Sequence, residues 1–64
     1  MVDERELWAF AMALLRQDPN DAAAFTSERM DALERAGREA GASVWKEVAD
    51  RMNAHVFEGA QPPN

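Results

Sequence analysis

His55 is the one side chain whose ordinary titration range lies near neutral pH, so it is the first place to look for a general base or a metal ligand. Either role needs a second group beside the imidazole to orient it or to share the metal. The chain has no cysteine and no other histidine. On a helical wheel His55 falls inside an apolar arc, near the end of a helix. There an imidazole can bond free carbonyls and favour the negative end of the helix dipole. Asp18-Pro19-Asn20-Asp21 opens like an oxygen-rich calcium loop, but the pattern fails at the fifth, sixth and twelfth positions. These carry Ala22, Ala23 and Arg29 where oxygen ligands, a bend-forming glycine and a bidentate glutamate belong. A helix cap accounts for the same residues. Asp3, Glu4 and Glu6 are likewise first-turn carboxylates facing the positive end of a helix. Gly37, Gly41 and Gly59 are too sparse for a phosphate-binding loop and lack the neighbouring Lys and Ser or Thr. With no nucleophile beside a base, the expectation is a non-enzymatic chain with no catalytic residues, no metal and no cofactor.

The informative residues are those that make contacts. Leu7-Trp8-Ala9-Phe10-Ala11-Met12-Ala13-Leu14-Leu15 is an unbroken apolar run. At 100° per residue its large side chains fan across about 200° of a helix, roughly twice the stripe an ordinary surface helix needs. One flank is therefore expected to meet another molecule, with Trp8, Phe10, Met12, Leu15 and, from a later helix, Trp45 as the interface residues. Rigid aromatics contribute most where an interface is dry. Arg29 falls among the apolar residues of its helix and must find a carboxylate or carry its head to the edge. It is the candidate partner for an anion or a carboxylate. Arg51 borders an apolar arc in the same way.

Three helices position these residues. The first is expected at 4–17: Asp3 can cap it, Glu6 stands at the capping-box position, and Val2 and Leu7 occupy the hydrophobic-staple positions. The second is expected at 19–36, with Asp18 as cap, Pro19 as preset first residue and Gly37 as left-handed stop. Its inner arc is Ala22, Phe25, Thr26, Met30, Leu33 and Ala36. The short connection predicts that the first two helices pack antiparallel. The third is expected at 39–57, with Val44, Trp45, Val48, Ala49, Met52 and Val56 on one arc and Gly41 tolerated inside. Gly59 ends it, leaving residues 60–64 as a proline-containing tail. The fold expected is a small all-α three-helix bundle, with residues 1–59 as one domain.

Composition narrows the function classes. The 64-residue chain carries a net charge of −5 and has no disulfide to staple it, so its core is thin and a second copy is attractive. Thirteen alanines and no isoleucine point to close helix contacts rather than a bulky centre. The acidic balance argues against nucleic acid, whose affinity is driven by basic side chains at phosphates. The N-terminal residues lack a basic segment before the apolar run, and nine apolar residues cannot span a bilayer that needs about 20. A cytoplasmic protein with no membrane contact is the expectation.

Glu6-Leu7-Trp8-Ala9 at the start of the first helix, Glu28-Arg29 in the second, a glycine-containing turn and the Trp45-to-Met52 stretch of the third together resemble a family of short, acidic, all-helical bacterial proteins of unknown function. The likeness covers most of residues 4–56. It implies an intact helical module and no activity, cofactor or catalytic position. The function expected is a non-catalytic interaction or regulatory protein that forms a homodimer through the outer flank of the first helix. The alternative is a small-ligand binder with a pocket lined by Trp8, Trp45 and Met52 and with Arg29 as an anion anchor.

Overall fold

A computed structural model describes residues 2–63. It contains three helices, α1 (Glu4–Gln17), α2 (Ala22–Arg35) and α3 (Glu39–Glu58), and no strand among the described residues. The predicted three-helix bundle is the observed fold. Met1 and the terminal Asn64 of the predicted tail lie outside the described residues.

Each helix ends for a local reason. The Asp3 side chain accepts the Glu6 amide at 2.9 Å, which satisfies one of the amides that α1 leaves without an internal partner. Gly37 stands at φ 74°, where a Cβ would be strained. Around it the Arg38 amide bonds the Leu33 carbonyl at 2.8 Å and the Gly37 amide bonds the Glu34 carbonyl at 3.0 Å, the paired bonds of a Schellman stop. Gly59, at φ 72°, ends α3 in the same left-handed region. The expected start of α2 at Pro19 is corrected by one turn. Asp21 has ψ −4°, away from helical values near −42°, and its amide is held by the Asp18 carbonyl and carboxylate at 3.2 and 3.3 Å. Asp18 thus closes a tight turn before Ala22, and regular helix begins only after it.

The expected antiparallel packing of α1 on α2 is also not what forms. Both pack on α3, and they touch each other little. The extents of 33 × 27 × 18 Å fit this arrangement: a 20-residue helix is about 30 Å long, and 18 Å is about two helices deep. Small residues draw α2 towards α3. A Cβ built on Gly41 would stand 3.4 Å from the Leu33 methyl groups, and Ala22, Thr26 and Ala42 are buried. The core is one cluster of Leu7 and Ala11 from α1, Ala22 from α2, and Val48 and Met52 from α3, with Leu14, Leu15 and Val44 packed against it. Thr26 gives its hydroxyl hydrogen to the Ala22 carbonyl at 2.8 Å, so its buried hydroxyl has a partner.

Arg51 fastens the start of α1 to the later half of α3. Its Nε meets Glu4 Oε2 at 3.1 Å, one terminal nitrogen meets Oε1 at 2.6 Å, and the other meets the Glu47 carbonyl at 2.9 Å. The two-pronged contact fits the planar guanidinium. It also shows why Val56 is exposed, although the sequence placed it on the inner arc of the third helix. Arg51 already lies opposite the first residue of α1, so the last turn of α3 runs past its neighbour. The hydrogen bond from Arg51, then its charge, with a smaller part from Trp8, holds the Glu4 carboxyl below the usual carboxylate range.

Three outcomes follow from this packing. Gly41→Ala is expected to raise stability by about 0.5–1 kcal/mol in urea unfolding, because the new methyl meets Leu33 at ordinary contact distance and helix propensity improves. Thr26→Val keeps the buried shape, and the Ala22 carbonyl keeps its helical partner, so its stability should stay within about 1 kcal/mol of the parent. Because the Glu4 carboxyl is depressed in the folded chain, its contribution is complete above the ordinary carboxylate pKa and is lost as pH falls through the lower folded value. Glu4→Gln should therefore be less stable than the parent at neutral pH, with the two urea midpoints converging in acid.

Candidate functional site

The apolar surplus of α1 is disposed of in three ways. The centre of the arc, Leu7 and Ala11, enters the core. On one flank Trp8 is only 8% exposed and Met12 is half-buried. These two line a shallow groove with Arg5, Ala9, Arg16, Pro62 and Pro63, so the proline tail folds back along α1. His55 holds the base of that tail, its Nδ1 lying 2.8 Å from the Ala60 carbonyl. The imidazole thus bonds a carbonyl just past the helix end, in a structural role. On the other flank Phe10 remains 49% exposed.

Phe10 belongs to the most distinctive surface feature of the molecule. Trp45 of α3 stands between Phe10 of α1 and Phe25 of α2, with ring centroids 5.2 and 5.8 Å away and interplanar angles of 84° and 72°. Both are edge-to-face contacts, the geometry aromatic quadrupoles favour. The trio takes one ring from each helix, so all three helices contribute to one face. Arg29, one turn beyond Phe25, lays its guanidinium 5.9 Å from the centre of the Trp45 ring. The stacking answers the question its apolar position raised: its head reaches the rim of the bundle over an aromatic surface.

Of the residues singled out for an interface, Phe10 and Trp45 come together on this face. Leu15 is half-buried against the core, while Trp8 and Met12 lie along the tail groove. The two tryptophans therefore have separate surroundings, Trp8 with the prolines and Trp45 with the phenylalanines, and Met52 lies in the core. Phe25 was expected inside and is 45% exposed. Its wheel position at the edge of the α2 arc is the signal that marks it, because a side chain there turns inward only if the neighbouring helix reaches it. A second exposed apolar spot, Val56 and the 80% exposed Phe57, lies at the free end of α3.

Beside the aromatic face, Leu14, Gln17, Asp18, Asp21, Ala22 and Phe25 enclose an open cleft of about 490 Å³. Its lining combines Leu14, Ala22 and Phe25 with two carboxylates. A hydrogen bond shared with Asp18, and then repulsion from its charge, raise the Asp21 carboxyl above its usual range. The cleft is thus a place where negative charge is crowded next to apolar surface, the setting that suits a cation with an apolar stem.

No helix among the described residues is long and apolar enough to cross a membrane. No curated protein and no solved structure matches the chain. Residues 3–57 match the model of a family of unknown function (DUF6961), and the chain belongs to that family.

Proposed function

We propose that this is a non-catalytic interaction or regulatory module that self-associates, and that its contact surface is the aromatic face of Phe10, Trp45 and Phe25 rather than the whole outer flank of α1. The observation that carries the reading is the exposure of two phenylalanines, at 49% and 45%, on either side of a half-buried tryptophan. Large aromatics clustered at a surface, rimmed by charged residues, are the composition of interface centres. A chain of this length buries a modest fraction of its surface alone, and a second copy extends that burial. The acidic charge and the histidine already engaged with the tail support a contact role over catalysis.

Sedimentation velocity across a micromolar to millimolar range tests the reading. The parent chain should show a concentration-dependent dimer, and a Phe10→Ser/Phe25→Ser variant should sediment as a monomer while keeping its helical circular dichroism. A parent monomeric throughout, or a variant that dimerises equally well, overturns the proposal.

A further inference from the structure

We infer that the second copy docks helix to helix through α2, antiparallel about a two-fold axis at Phe25, with Arg29 of each copy seated in the Asp18–Asp21 cleft of the other. This rests on the self-association proposed above and names its geometry. Asp21, Phe25 and Arg29 are spaced by four residues, so they form one ridge with each charge about 6 Å from Phe25 along the axis. When such a ridge meets itself about a two-fold axis at its centre, position 21 of one copy faces position 29 of the other, twice over. Opposite signs then meet at both ends. A parallel arrangement would set like charges together.

Shape follows the same symmetry. The open cleft of about 490 Å³ lies on the N-terminal side of Phe25, and the exposed Arg29, resting over Trp45, lies on its C-terminal side. A self-complementary interface needs a recess and a projection placed in that way across the axis. Leu14, Ala22 and Phe25 would receive the aliphatic stem of the incoming arginine, and Asp18 and Asp21 its planar head. Each side also has an unmet need. Among the described residues Arg29 has the Trp45 ring beside it and no carboxylate within ion-pair distance. Asp18 crowds the Asp21 carboxyl and raises it above its usual range.

Charge exchange tests the arrangement by sedimentation equilibrium at low salt, with circular dichroism confirming the fold of every variant. Asp21→Arg and Arg29→Glu should each weaken the homodimer by about tenfold or more, since each puts like charges at both ends of the interface. Arg29→Gln, which removes charge without adding repulsion, should fall between Arg29→Glu and the parent. Mixing Asp21→Arg with Arg29→Glu in equal amounts should restore dimer to within about threefold of the parent, because both cross-pairs are then attractive. The doubly exchanged chain should recover likewise. A parent dimer that is indifferent to these exchanges overturns the α2 geometry and leaves self-association standing. A parent that stays monomeric to millimolar concentration overturns both and leaves the face to a different protein.

Discussion

The arrangement depends on α3 serving as the shared packing surface for two helices that barely meet each other. Its Val48 and Met52 join the α1 residues Leu7 and Ala11, and its Gly41 lets Leu33 of α2 come close. In so short a chain, a helix touching only one neighbour buries one stripe of its surface. The hydrophobic effect is proportional to area removed from water, so two such helices leave apolar flanks behind. Around Trp45 of α3, those flanks become the aromatic face.

The two flanks of α1 illustrate how the same surplus meets different fates. Trp8 and Met12 receive cover from Pro62 and Pro63, residues that cannot continue a helix and therefore leave the chain free to turn back. Gly59 supplies the left-handed turn that redirects it, and the His55 contact with Ala60 holds the first residue of the return. Phe10 has no such cover and instead presents its ring to the edge of Trp45. Edge-to-face contact lowers the energy of aromatic rings without enclosing them, so the trio is ordered and still accessible.

Charge acts at the margins of this packing. The Glu4 and Arg51 pair spans 47 positions in sequence and ties two helix segments, while Asp18 and Asp21 stand together at the turn into α2 and oppose one another. Protonation consequently has opposite signs at the two ends of the molecule: acid removes an attraction near the start of α1 and relieves a repulsion near the start of α2.

The helix periods, the Asp3 cap and the glycine stops at 37 and 59 were legible in the residues, because caps and left-handed turns are decided within a few positions of the chain. The places of Val48 and Met52 on the inner arc of the third helix followed from apolar spacing in the same way. The start of α2 was not, since Pro19 suits both a first helical residue and a tight turn, and the Asp18 hydrogen bonds select the turn. Nor was the burial of Trp8 against the exposure of Phe10 and Phe25. A wheel describes one helix around its own axis and says nothing about which neighbour, or which returning tail, stands beside each flank. Local backbone chemistry therefore belongs to the sequence alone, while the aromatic face belongs to the tertiary structure, because its three rings come from three helices that only packing brings together.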